Sequence, residues 1–123
     1  MREIKFRVYD KDSKNMYNQD DFILTFDTVG EDIYLSKNDE VIPLYSYELM
    51  QYTGLKDKNG KEIYDGDIVK LYSTETDKLG SENYTITYTK DAEWALDDSY
   101  LLSRKYKYCE IIGNVYEDKS LLK

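Results

Sequence analysis

Residues 49–72 read LMQYTGLKDKNGKEIYDGDIVKLY, with two glycine turns, a row of charged residues between them and apolar residues at alternating places beyond. Asn59-Gly60 is a strong short hairpin signal, because a type I′ turn needs positive φ at both central residues and this pair tolerates it. Asp65-Gly66 is a second turn, leading into DIVKLY, where Ile68, Lys70 and Tyr72 alternate with Val69 and Leu71. The stretch predicts a corner of β-structure. A calcium loop is the competing reading, since Asp, Asn and Gly recur here. With Gly60 at the glycine place of an EF-hand loop, the first ligand is Leu55 and the bidentate glutamate is Gly66, so the template fails at both ends.

Period two continues outward on both sides. Ile4, Phe6 and Val8 alternate with Lys5, Arg7 and Tyr9, and Phe22, Leu24 and Phe26 repeat the pattern after a polar connection. DIYLS after Gly30 is a short strand, KNDE is a turn, and Pro43 belongs at an edge because it lacks a backbone donor. Segment 73–83 reads as a polar loop. In 84–89 Tyr84, Ile86 and Tyr88 face one way and three threonines the other. Around Trp94 the reading is open between a short helical turn capped by Asp91 and a further strand. RKYKYCEIIGNVYE predicts the closing strand, with Gly113 at a bulge or close backbone approach, and the tail EDKSLLK allows at most one helical turn.

Composition narrows the chemistry. The 123 residues form one domain, 1–123, with two lobes, 1–50 and 51–123, as an alternative division. Fourteen tyrosines against three phenylalanines suit half-buried pleated surfaces. Net charge of −8 and a pI near 4.6 disfavour generic binding to nucleic acid or anionic membranes. The single cysteine, Cys109, forms no internal disulfide, no stretch has the length of a membrane span, and the N-terminus has no apolar signal core. A cytoplasmic location is expected. With no histidine, neither a Cys/His zinc site nor a histidine-activated nucleophile can be assembled within one chain. No glycine-rich phosphate cradle is present. The acidic pairs Asp20-Asp21, Glu31-Asp32, Asp39-Glu40 and Asp97-Asp98 lie in polar, turn-like context, which favours solvated loop charge over a glycosidase pair. The expectation is therefore no enzyme, no metal and no cofactor.

One patch suggests a binding surface. In RKYKYC, read as a strand, Arg104, Tyr106 and Tyr108 share one face and Lys105 and Lys107 the other, so aromatic rings interleave with cations that could stack bases and hold phosphates. The alternative is a strand with tyrosines on the core and lysines in water, and the global charge favours it. Cys109 reads as a buried structural thiol.

KFRVYD at the start, LMQYTGLKDKNGKEIYDGDIVK in the centre and IIGNVYE near the end resemble the YopX protein family, small proteins encoded by phages and prophages. The match covers roughly a third of the chain. The resemblance implies a mainly β fold (β-rich α+β), with antiparallel strands, a small barrel of the Src-homology-3 type and at most short helical turns. It further implies self-assembly into a homo-oligomer, no established activity and no catalytic residues to carry over. Three functions remain in view: an accessory protein binding itself or a host or phage protein, a nucleic-acid-binding small barrel, and an acidic DNA-mimic decoy. The decoy predicts carboxylates regularly spaced along one surface, and clustering at turn tips counts against it.

Overall fold

The computed structural model describes residues 3–27, 32–37, 40–42, 46–74 and 82–122, with backbone alone at 26, 27, 32–34 and 122. The expectations for Gly30, Pro43, the central two residues of the KNDE turn, most of the 73–83 loop and the Phe26 side chain lie outside these residues. The chain divides into two compact units, Lys5–Gln51 and Tyr52–Lys123 with Met1–Ile4.

In the first unit β1 (Phe6–Asp10) forms a hairpin with β2 (Asn15–Tyr17), pairing Val8 with Tyr17. Asp10 sets the turn: its Oδ1 accepts the Asp12 and Ser13 N–H groups at 2.9 and 3.4 Å. The polar connection thus contains a short strand as well as turns. A 3-10 turn (Gln19–Asp21) leads into β3 (Ile23–Asp27), which pairs with β4 (Asp32–Lys37), and β4 with β5 (Glu40–Ile42). The inner face of these strands holds Phe22, Leu24, Leu35 and Ile42, which pack with Val8 and Tyr47 as the unit's core. Ile4, expected on that face, precedes β1 and is 73% exposed, because the ladder that imposes alternation starts only at Phe6.

β6 (Tyr47–Lys56) pairs through its first half with β1 and through its second with β7 (Glu62–Tyr64). Its register slips between Tyr52 and Lys56, where Gly54 takes φ 87°. There the Thr53 hydroxyl donates to Ile63 O at 2.8 Å and accepts from Leu55 N–H at 3.2 Å, taking the place of ladder bonds.

The 57–60 turn departs from the sequence expectation. Gly60 has φ 82°, but Asn59 is not left-handed, so the turn is not type I′. Gly60 N–H donates to Asp57 O, and the Asp57 carboxylate accepts from Asn59 and Lys61 N–H, both at 2.9 Å. That side-chain bridge favours a right-handed first half followed by a left-handed glycine. Type I′ geometry occurs instead at Asp97-Asp98, with φ 49° and 60° and a Ser99 N–H to Leu96 O bond.

After the Asp65-Gly66 turn, β8 (Asp67–Leu71), β9 (Asn83–Tyr88), β10 (Trp94–Leu96) and β11 (Tyr100–Leu101) run as an antiparallel meander. β12 (Cys109–Asn114) then returns to pair with β8, giving the order β11-β10-β9-β8-β12. This is the strand order of the Src-homology-3 type of small barrel, and the chain is mainly β as its sequence predicts. Trp94 opens a strand, which settles the open reading. Ile63, Val69, Ile86, Leu96, Leu102 and Cys109 form the core, and each large apolar side chain among them contributes about 1.5–3 kcal/mol of transfer free energy. Ile68 and Val69 are both fully buried although they point to opposite faces. A bulge between Ile111 and Gly113 falls where Gly113 meets the Asp118 carboxylate, so the predicted bulge and close approach occur together. The tail ends in a 3-10 turn, Lys119–Leu122.

Candidate functional site

Residues 104–108 are not a strand. Leu102–Lys105 is a single α-helical turn, α1, and Tyr106–Tyr108 a 3-10 turn. Fully buried Leu102 fixes α1 to the barrel core, and the Tyr106 and Cys109 N–H groups close the turns on Leu102 O and Tyr106 O. A helical turn advances about 100° per residue, so Arg104, Tyr106 and Tyr108 share no face, and neither do Lys105 and Lys107. Propensity is indifferent here, and the need to cross from β11 to β12 decides the conformation. The interleaved row of rings and cations therefore does not form. Lys105 Nζ lies 5.6 Å from the Tyr100 ring centre and Lys107 Nζ 5.8 Å from that of Tyr106, near the outer limit of cation–π attraction.

The structure brings the 57–60 turn to these residues instead. Lys58 N–H donates to Cys109 O at 2.9 Å and Tyr72 N–H to Tyr108 O at 2.8 Å. Asp57, only 6% exposed, accepts Ile111 N–H at 3.0 Å through its second oxygen. Lys58 Nζ sits 4.1 Å above the Tyr72 ring centre. The Tyr72 hydroxyl donates to Glu110 Oε1 at 2.7 Å and the Asn59 amide to Glu110 Oε2 at 3.4 Å. A cavity of about 320 Å³ opens among Asp57, Lys58, Tyr106 and Lys107. Lys58 carries no signal in the periodicity, since the bonds of its turn to Cys109 and Ile111 bring it here.

A second cleft, of about 350 Å³, lies over the floor formed by Ala95, between the 89–93 loop and the 97–99 turn. Asp91, Glu93 and Asp98 line it, with Lys90 as its lone cation. The type I′ turn holds Asp98 in place: its N–H donates to the Thr87 hydroxyl at 3.1 Å, and that hydroxyl donates back to its carboxylate at 2.6 Å. Tyr88 and Tyr100 also border the cleft, 56% and 44% exposed. Each is braced by an aromatic edge contact, Tyr88 with Trp94 at 4.7 Å and Tyr100 with Tyr84 at 5.8 Å.

Cys109 is fully buried and its thiol donates to Lys105 O at 3.2 Å. Burial, reinforced by the nearby Asp57 carboxylate, pushes it up to about 12. Such a thiol is not a nucleophile near neutral pH. Other carboxylates cluster at turns: Asp21 accepts Asn18 N–H, Asp67 accepts Tyr64 N–H, Asp97 accepts Thr85 N–H and Asp118 accepts Asn114 N–H. Among the described residues no three Asp, Glu or Cys groups converge as a metal site, and no helix is long and apolar enough to cross a membrane.

Strand order, turn chemistry and these two clefts define a small antiparallel barrel protein. A family model described as YopX protein matches residues 5–123, so the chain belongs to the YopX family. A crystal structure of protein EF1440 from Enterococcus faecalis is similar at 23% identity, covering 100% of both chains with a TM-score of 0.66, which bears on the fold alone. Curated proteins return no match.

Proposed function

We propose that the chain is a non-catalytic accessory protein of phage or prophage that works in the host cytoplasm by binding a protein partner at the Tyr88–Tyr100 cleft. The observation that carries this reading is the pair of exposed, braced tyrosines beside a concave site. Tyrosine supplies contact area at low entropic cost, and rings held by their neighbours lose little further freedom on docking. Among the described residues no cation comes within ion-pair range of Asp91, Glu93 or Asp98, which suits a partner presenting lysine or arginine. The absence of histidine from the sequence and the engagement of Cys109 and Asp57 in the fold support a role without catalysis. Carboxylates gathered at turn tips weigh against a DNA-mimic decoy. The test is capture of partners from host lysate by the immobilised chain and by its Tyr88→Ser/Tyr100→Ser variant. A partner retained by the parent, released by salt and lost with the variant is expected. Equal retention by both refutes the reading.

Self-assembly is a second reading with its own observation. Ile23, Ser36 and Val41 stand side by side across β3, β4 and β5, and Ile23 and Val41 are largely exposed. Light scattering over a concentration series tests it: a mass that rises for the parent and not for Ile23→Lys/Val41→Lys supports a homo-oligomer through this face, and a constant monomer mass removes it.

A further inference from the structure

The cavity between the 57–60 turn and the 3-10 turn Tyr106–Tyr108 has an unusual balance of charge. Its carboxylate, Asp57, is held by the N–H groups of Asn59, Lys61 and Ile111, and the neighbouring Glu110 has both oxygens engaged, by the Tyr72 hydroxyl and the Asn59 amide. Its two cations are not so matched. Among the described residues neither Lys58 nor Lys107 has a carboxylate within ion-pair range; the Lys58 ammonium lies over the Tyr72 ring at 4.1 Å, and that of Lys107 is 5.8 Å from the Tyr106 ring centre. The bonds to Asp57 and Glu110 leave both carboxylates their charge but turn their oxygens towards the turn, β12, Tyr72 and Asn59, so Lys58 and Lys107 are the charged groups beside the cavity with capacity left for an anion.

We infer that this cavity is a binding site for the phosphoryl group of a small phosphorylated ligand, with Lys58 and Lys107 holding the phosphate oxygens and Tyr106 forming the wall. The chemistry fits a phosphoryl group: ammonium groups take phosphate as point charges, and leaving a tyrosine ring costs each only a weak attraction. A volume of about 320 Å³ admits a phosphate with an attached group the size of a nucleoside. Size also selects against long polyanions. Two lysines answer one phosphate, whereas every further phosphate of a nucleic-acid strand would face the net negative field of the rest of the protein within a screening length of about 8–10 Å. Arg104 and Lys105 do not line the cavity, so the site is not the start of an extended basic track.

The experiment is a titration of the isotope-labelled full chain followed by amide NMR signals at constant ionic strength. Inorganic phosphate, adenosine monophosphate and a single-stranded oligonucleotide are the probes. Signals of residues 58–61 and 106–109 are expected to move with the first two, saturating in the millimolar range. Lys58→Gln or Lys107→Gln alone should weaken binding by about fivefold or less, as for exposed ion pairs, and the double variant should abolish the shifts. Both lysines are exposed, so the variants keep the fold, which the unchanged signals of the remaining residues verify. Tighter binding of the monophosphate than of phosphate assigns the ligand to the nucleotides, and equal binding to phosphate esters in general. The inference is overturned if the signals stay fixed, if sodium chloride moves them equally, if the double variant keeps them, or if the oligonucleotide binds more tightly per phosphate than the monophosphate.

Discussion

Asp57 is the side chain whose loss should be felt most. Its two oxygens accept three backbone N–H groups, Asn59 and Lys61 at 2.9 Å within the turn and Ile111 at 3.0 Å on β12, so one carboxylate fixes the turn and clamps it to the closing strand. Asp57→Ala removes all three bonds. Water reaches the exposed turn, so Asn59 and Lys61 lose about 0.5–1.5 kcal/mol each, whereas the half-buried Ile111 N–H is left without an acceptor at about 1–3 kcal/mol. The expected loss is about 2–6 kcal/mol. Asp57→Asn keeps an oxygen for the turn but sets an amide N–H₂ against Ile111 N–H, a clash of donors, with an expected loss of about 2 kcal/mol. Urea unfolding followed by the emission of Trp94, the chain's single tryptophan and part of the same unit, measures both. An Asp57→Ala loss below about 1 kcal/mol, or an Asn variant weaker than the Ala variant, refutes the clamp, because contacts of this kind to a nearly buried carboxylate exceed that figure.

Two glycine substitutions separate backbone cost from steric cost. Gly60→Ala meets nothing within 4 Å, so its loss of about 1–2 kcal/mol comes from φ 82° alone, and Gly60→Asn should recover part of it in the same urea assay. Gly113→Ala places its Cβ 2.6 Å from Asp118 Oδ2, and the carboxylate must leave the Asn114 N–H; a loss of about 1–3 kcal/mol and altered exchange at the Asn114 amide are expected. Cys109 should resist maleimide at pH 8 in the folded chain and react once unfolded. Its folded pKa of about 12 lies above the ordinary value of 9.0, so the unfolded state releases its proton first as pH rises. Stability is thus unaffected by this thiol below about pH 9 and falls as pH climbs from 9 towards 12, by up to about 1.4 kcal/mol per pH unit, a slope that Cys109→Ala should flatten.

Most of the fold was legible because most of it obeys alternation. Val8 and Leu24 fall on the apolar faces that period two predicts for β1 and β3, and each is buried or half-buried there. The positive φ at Gly60 and the turn at Gly66 were legible for a related reason, since the glycines mark where the backbone leaves the ordinary regions. What could not be read was local conformation set by distant partners. Nothing in RKYKY distinguishes strand from helical turn until buried Leu102 and the path to β12 are known. The left-handed Asp97-Asp98 pair read as loop charge, because its conformation depends on Thr85 and Thr87 on the neighbouring strand. Both clefts share this origin: Lys58 meets Tyr106 and Lys107 where the 57–60 turn bonds to Cys109 and Ile111 on β12, and Asp98 is placed by Thr87 on the neighbouring strand. Pairings between distant segments have no footprint in a single sequence.

That β8–β12 pairing also gives the molecule a history. The first strand of the barrel waits for its last, and about 43 residues separate Leu71 from Asn114. A ribosome adding about 5–20 residues per second takes roughly two to nine seconds over that interval. During it Val69, then Ile86 and then Leu96 are added without the strand that completes their enclosure. The nascent chain is therefore open to capture by chaperones or by neighbouring copies for seconds, and its core is covered only once β12 pairs with β8.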